Sequence, residues 1–254
     1  MKPFQETVNR VINESDIVII VLDSRFVQET RNRPIEEKIR RKRKEIIYVL
    51  NKSDLLKERF EDIKLNLHGH AIFVSAVNNL GTTKLRNILK EYKKRPLIVG
   101  VIGYPNTGKS SLINALKQRK SAGTSPIAGF TRGMQKIKVA RGIYLFDTPG
   151  VFPRLERDEL KHSLISAKDP NRVEDPDIIA SQIIEIIIKK DKKILENLYK
   201  IKIKSEDPQE ILEQIAIASN WLIKGGLPNI DLTAKKIITD WQKGKISIEI
   251  GLFP

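Results

Sequence analysis

Two short stretches hold residues whose types and spacing suit phosphate and base chemistry. Gly103-x-x-x-x-Gly108-Lys109-Ser110 closes an apolar run and opens an amphipathic one. Glycines at both ends let successive backbone N–H groups turn inward around an anion, and the helix that follows adds its N-terminal dipole. Lys109 then reaches the outer phosphates, and the Ser110 hydroxyl ligates Mg²⁺. Asn51-Lys52-Ser53-Asp54 follows a second apolar run. A carboxylate at its fourth position accepts two hydrogen bonds from guanine, through N1–H and the 2-amino group. Adenine lacks both donors and would leave Asp54 desolvated and unpaired. The pair of motifs therefore implies GTP rather than ATP. Alone, the second could be a strand-to-helix cap made by Ser53 or Asp54.

A third stretch, Asp147-Thr148-Pro149-Gly150, also ends an apolar run. Asp147 is expected to hold Mg²⁺ through a water, and the Gly150 N–H to meet the γ-phosphate. Asp-x-x-Gly occurs in many turns, so its weight comes from its place after a strand and downstream of the phosphate loop. Between the two lies Ala122 to Met134, rich in Gly, Ser and Thr. Thr131 is the candidate for the hydroxyl that closes on Mg²⁺, with Thr124 and Ser125 as competitors. In the base pocket, Asn51 is expected to tie the pocket to the phosphate loop, and the stem of Lys52 to cover the base. Ser75-Ala76-Val77 offers a small-residue turn with backbone N–H groups for the guanine O6. Asn106, Thr107, Gly108 and Ser111 complete the GTP-contacting set, and Lys109 and Thr131 are the candidates for supporting the transition state.

Such residues need rigid elements to aim them. Ile17 to Leu22, Glu45 to Leu50, Ala71 to Val74, Leu97 to Ile102 and Ile143 to Phe146 read as buried strands, each ending at a polar or glycine residue. Helical patterns fall between them, over Pro34–Arg43, Leu55–Leu67, Thr82–Tyr92 and Lys109–Leu116. This alternation predicts an α/β doubly wound sheet with ligands at the carboxyl ends of its strands. After Pro153 the pattern turns helical, over Leu160–Ala167, Pro176–Tyr199, Pro208–Ile223 and Leu232–Trp241. Asp175-Pro176 and Asp207-Pro208 read as N-caps followed by N1, and Gly225-Gly226 as a helix stop. The expected domains are 1–155 and an all-helical 156–254.

The net charge of +15 is uneven: residues 1–155 hold 30 basic and 14 acidic side chains, residues 156–254 hold 16 and 17. Arg31, Arg33 and the run Arg40-Arg41-Lys42-Arg43-Lys44 are the densest part, with Lys93-Lys94-Arg95 a second cluster. Such a patch suits a polyanion such as RNA, or is a solvated helix end. Lys189, Lys190, Lys192, Lys193, Lys200, Lys202 and Lys204 pose the same choice in the helical half. The absence of cysteine fits a reducing interior, and no apolar run approaches bilayer length. A cytoplasmic protein without membrane attachment, monomeric, is the expectation. Trp221 and Trp241 read as core anchors, and His68 and His70 as surface residues.

In the order Asn51–Asp54, Ser75–Ala76, Gly103–Ser110, Thr131, Asp147–Gly150, the motifs resemble the circularly permuted GTPases of the YlqF/YawG type. That family has the P-loop NTPase form of the doubly wound sheet, a small-GTPase fold with its motifs reordered. Asp23-Ser24-Arg25 and Arg31-Asn32-Arg33-Pro34 are similar to its early Asp-Ala-Arg and Arg-Asn-Pro elements. Lys224-Gly225-Gly226 and Asp240 through Lys245 are similar to its C-terminal stretch. The resemblance implies weak GTP hydrolysis to GDP, stimulated by the ribosome and coupled to maturation of the large subunit. It also implies rRNA binding through the helical domain and, at Asn106, a K⁺ beside the phosphates. Val151 and Phe152 stand where Ras-like enzymes orient water with Gln. No histidine precedes His68, so the family's N-terminal histidine is not carried over and the catalytic base is unassigned.

The rival reading is a GTP-gated RNA- or ribosome-binding module with negligible hydrolysis. A GTPase of another RNA-processing pathway is the third. In either case Val151-Phe152-Pro153 leads directly from the last nucleotide motif into the helical half, a covalent route for a signal from the γ-phosphate.

Overall fold

Uninterrupted apolar runs form strands where both faces of the sheet are covered. The computed structural model, which describes residues 2–56, 67–117, 136–146 and 169–246, meets that demand. Helix α1 (Lys2–Glu14) precedes β1 (Ile17–Asp23). Then come α2 (Arg33–Arg41), β2 (Glu45–Asn51), β3 (His70–Phe73), α3 (Thr82–Glu91), β4 (Leu97–Gly103), α4 (Lys109–Leu116), β5 (Lys136–Ala140) and β6 (Ile143–Phe146). The sheet order is β3-β2-β1-β4-β6-β5, all parallel except β5, which runs antiparallel to β6.

Alternate residues of β1 serve the two faces. Ile17, Ile19 and Val21 join Leu85 and Leu89 of α3 and Leu112, Ile113 and Leu116 of α4 in one cluster. Val18, Ile20 and Leu22 join Val8, Val11 and Ile12 of α1 and Ile39 of α2 in the other. Asn32 caps α2, its Oδ1 accepting the Ile35 N–H at 3.2 Å. The predicted helix Leu55–Leu67 falls mainly outside the described residues; its first residue belongs to a single 3-10 turn, Ser53–Leu55.

The chain divides into two compact units, residues 1–156 and 157–254. The described part of the second is helical: α5 (Pro176–Asp191), α6 (Lys193–Tyr199), α7 (Pro208–Ala218) and α8 (Ile230–Gln242). Ile183, Ile187, Leu212, Ile215, Ile237 and Trp241 lie in its core. The predicted helix Pro176–Tyr199 is two helices that break at Lys192, where the Asp191 carboxylate accepts the Lys193 N–H (3.0 Å). The helix predicted to run to Ile223 stops at Ala218. Asn220 takes the left-handed conformation (φ 55) that ends it, and the Trp221 N–H returns to the Ala216 carbonyl at 2.9 Å. Gly225 and Gly226 instead form the tip of a small hairpin bridged between Leu222 and Pro228. Asp207 caps α7 through the Gln209 N–H (2.9 Å), whereas Asp175 holds its cap position without a side-chain bond. Trp241 is buried as expected; Trp221 is half-buried, edge-on to Tyr199. The Asp240 to Lys245 stretch is a helix stop in which the Asp240 carboxylate accepts from Tyr199 Oη (3.2 Å) and Lys245 Nζ (2.8 Å).

Candidate functional site

Parallel register brings the motifs together. Asp23 lies opposite Asn51, and Val21 opposite Gly103, so the base tetrapeptide and the phosphate loop flank the end of β1. This is the switch point of the sheet, with β2 on one side and β4 on the other.

Asn51 is the joint. Its Nδ2 donates to the Thr107 carbonyl (2.8 Å), and its Oδ1 accepts the Ala76 N–H (3.1 Å), so one buried amide connects three loops. Two glycines are dictated by this packing. Gly108 holds φ +91, and a Cβ there would lie 2.1 Å from Asn51 Nδ2; a Cβ on Gly103 would lie 2.4 Å from the Val21 carbonyl oxygen. Within the loop, Thr107 Oγ1 donates to the Tyr104 carbonyl (2.9 Å), and the buried Lys109 ammonium donates to the same oxygen (2.5 Å). Asn106 is exposed in the left-handed region (φ 59), and Ser110 and Ser111 are exposed in the first turn of α4. A glycine-edged loop at a helix start, with a lysine held inside it, fits a polyphosphate.

On the base side, Lys52 adopts φ +60 and starts the 3-10 turn that leaves Asp54 exposed. Ser75 is buried, and its Oγ accepts the Asn78 N–H at 3.2 Å. The Ala76 N–H expected at the guanine O6 is engaged by Asn51, so a base oxygen there would share that donor. Asp23, noted in the sequence only as part of an early motif, is a member of this site. Its fully buried carboxylate pairs with Lys52 Nζ (2.8 Å) and with Arg25 through Nε (3.0 Å) and Nη2 (2.8 Å). Burial pushes its pKa up, but the charges of Arg25 and Lys52 outweigh burial and lower it to about 2. The head of Lys52 is thus fixed against Asp23.

The basic run is not one patch. Arg31 donates to the nearly buried Glu36 through Nε (2.9 Å) and Nη2 (2.7 Å), Tyr48 Oη donates to the same carboxylate (2.8 Å), and Arg40 joins them (3.3 Å). Burial raises the Glu36 pKa, but the hydrogen bonds of Arg31 and Tyr48 lower it overall; burial and Glu36 push Tyr48 up to about 12. These arginines stitch α2 to β2. Thr131, Asp147 and Gly150 lie outside the described residues, as do Thr124, Ser125, Val151, Phe152 and His162. Of the expected Mg²⁺ ligands only Ser110 is described, and among the described residues no three His, Cys, Asp or Glu side chains gather as a metal site. His68 and His70 are exposed.

The RsgA GTPase family model matches residues 3–154, and the 50S ribosome-binding GTPase model matches residues 98–215. The GDP-bound structure of YlqF superposes with a TM-score of 0.71 at 25% identity, covering 96% of this chain and 98% of the other. The chain belongs to the YlqF-like circularly permuted GTPases. The GNP-bound YlqF of T. maritima has the same fold (TM-score 0.66, 23% identity, 95% and 94% covered). An uncharacterized GTP-binding protein of Methanocaldococcus jannaschii is 40% identical over 96% of this chain and 66% of its own length. Nucleolar GTP-binding protein 2 of Cryptococcus neoformans var. grubii is 34% identical over 93% of this chain and 36% of its own. The chain thus spans about a third to two thirds of these relatives. Both matched family models are those of GTPases. Among the described residues no helix is long and apolar enough to cross a membrane.

Proposed function

We propose that this chain binds GTP at the carboxyl edge of its sheet, hydrolyses it to GDP, and uses the nucleotide state to govern binding to rRNA of the large ribosomal subunit. The single observation that carries the nucleotide reading is Asn51, which couples base pocket to phosphate loop through two hydrogen bonds. Asp54 selects guanine, Lys52 covers the base, and Ser75–Ala76 border it. Asn106 to Ser111 surround the phosphates, with Lys109 neutralising charge that develops on them. Mg²⁺, when bound, would neutralise charge on the phosphates. Ser110, Thr131 and Asp147 would hold that ion, and Asn106 a K⁺. The ribosomal reading rests on the 50S ribosome-binding GTPase match over residues 98–215.

Single-turnover hydrolysis, with and without purified large ribosomal subunits and in KCl or NaCl, tests this. Acceleration by subunits is expected, with faster turnover in KCl. If phosphate release is neither detectable alone nor raised by subunits, the chain is a GTP-gated binding module instead.

A further inference from the structure

We propose that the amino edge of the sheet, opposite the nucleotide, is a docking surface for the phosphate backbone of RNA; this deepens the rRNA reading above and rests on it. In a parallel sheet the residues just before each strand collect at one edge. Lys42 and Arg43 precede β2, Lys93, Lys94 and Arg95 precede β4, and Arg141 precedes β6, all exposed. The sheet order sets these strands on both sides of β1, so two clusters far apart in sequence converge. Lys44 and Lys94 close the gap between them. Lys44 Nζ donates to the Asn13 carbonyl (2.6 Å) and the Ser15 carbonyl at the start of β1, and Lys94 pairs with Asp16 (2.5 Å). The Lys44 pKa is lowered, first by burial and then by Lys42 and Lys94 against the pull of Asp16, so these cations feel one another. Gly142 keeps φ +71, and a Cβ there would lie 2.8 Å from Arg95 Cδ, which puts the Arg95 stem against the turn that carries Arg141.

Three observations favour RNA. Of the acids at this edge, Asp16 is engaged by Lys94 and by the Ile98 N–H (2.8 Å) and Glu45 lies against Tyr92 and His70; Lys42, Arg43, Lys44, Lys93, Lys94, Arg95 and Arg141 outnumber them and Glu91, which leaves a net positive edge. Arg43 holds φ +54, a conformation glycine or asparagine adopts more readily, so ending α2 does not by itself select an arginine. The exposed large apolar residues described in this unit are Val77 and Leu80, which follow β3 at the opposite edge. A protein interface needs an apolar centre, whereas a nucleic-acid interface is polar and positive. The edge is also remote from the phosphate loop, so RNA and GTP can be held together.

The test is anisotropy of fluorescent large-subunit rRNA fragments titrated with the full chain over a range of KCl concentrations. Lys42→Gln/Arg43→Gln/Lys93→Gln/Arg141→Gln should weaken binding at least about tenfold near 0.1 M salt and lower the log K against log salt slope by roughly 3, since each phosphate contact contributes about 0.7 to 0.9. GDP affinity should stay unchanged, and Lys42→Gln/Arg43→Gln alone should give about half the slope change. Lys189→Gln/Lys192→Gln/Lys204→Gln in the helical unit is the comparison. If only that variant loses affinity, the amino-edge surface is wrong while the RNA reading stands. If the unaltered chain fails to bind rRNA, both fall. If it binds an acidic protein of the subunit through these cations instead, the partner is protein and the proposal is overturned.

Discussion

The two edges of one sheet use charge in opposite ways. At the carboxyl edge Asp23 is fully buried, Lys52 is 20% exposed, and each faces a named partner within 3 Å. At the amino edge Lys94 is 66% exposed even while paired with Asp16, and Lys42, Lys93 and Arg141 project into solvent. Buried groups cannot be moved without leaving an unpaired atom, so geometry is fixed to a fraction of an ångström. Exposed cations act through summed field, so number and sign matter more than position. A binding site for one nucleotide needs the first arrangement. A surface for a repeating polyanion needs only the second.

If the contrast is right, substitutions at the carboxyl edge should act sharply. Gly108→Ala should have the largest effect. A methyl 2.1 Å from Asn51 Nδ2, on a residue at φ +91, must displace either the loop or the amide that joins it to the pocket. GDP affinity should fall about 10²-fold, or ~2.8 kcal/mol, as titration of the folded variant measures. An undiminished affinity would mean that Asn51 does not set the loop. Asp23→Asn comes next, removing the buried carboxylate charge that Arg25 and Lys52 share. Removing one member of a buried pair costs about 3 kcal/mol, read by denaturant unfolding, with GDP affinity falling about tenfold, or ~1.4 kcal/mol, as Lys52 is released. The pH profile carries a sign. Because the folded pKa of Asp23 is depressed to about 2 from 3.8, its contribution is complete above the unfolded value and is lost as pH falls from about 4 to 2. The variant should lack that acid-dependent loss. Lys42→Gln should do least: exposed and free of packing demands, it should shift unfolding by no more than ~0.5 kcal/mol. A large loss there would show that the amino edge is structural rather than a docking surface.

What the sequence displayed follows the same divide. Asn51–Asp54 and Gly103–Ser110 were readable because their members are near neighbours whose order reflects a fixed chemistry. The buried strands were readable because a continuous apolar run has few other uses. The tie between Asp23 and Lys52 was not, since it depends on the β1–β2 register that sets Asp23 opposite Asn51. Nor was the Arg31–Glu36–Tyr48 cluster, which turns part of the dense basic stretch into internal cross-links. Helix α1 is hidden in the sequence: Val8, Val11 and Ile12 sit at helical spacing, but Asn and charged residues dilute the pattern. Strand β5 is hidden too, because its alternation, Lys136-Ile137-Lys138-Val139, reads as surface until β6 pairs with it. Gly225-Gly226 misleads as a helix stop because Asn220 supplies the same left-handed ending a few residues earlier. The meeting of Lys42 and Arg43 with Lys93 to Arg95 is visible only once the sheet order is known.

The central claim is that Asn51 to Asp54 hold a guanine base beside the loop Gly103 to Ser110. Its most direct test is nucleotide selectivity of Asp54→Asn, comparing GTP with xanthosine triphosphate by equilibrium titration. An amide in place of the carboxylate loses the acceptor for the 2-amino group and gains a donor for a 2-oxo group. GTP affinity should fall by roughly two to three orders of magnitude while affinity for xanthosine triphosphate rises above it. Unchanged GTP affinity, with no gain for the xanthine nucleotide, would remove Asp54 from the base pocket and contradict the account.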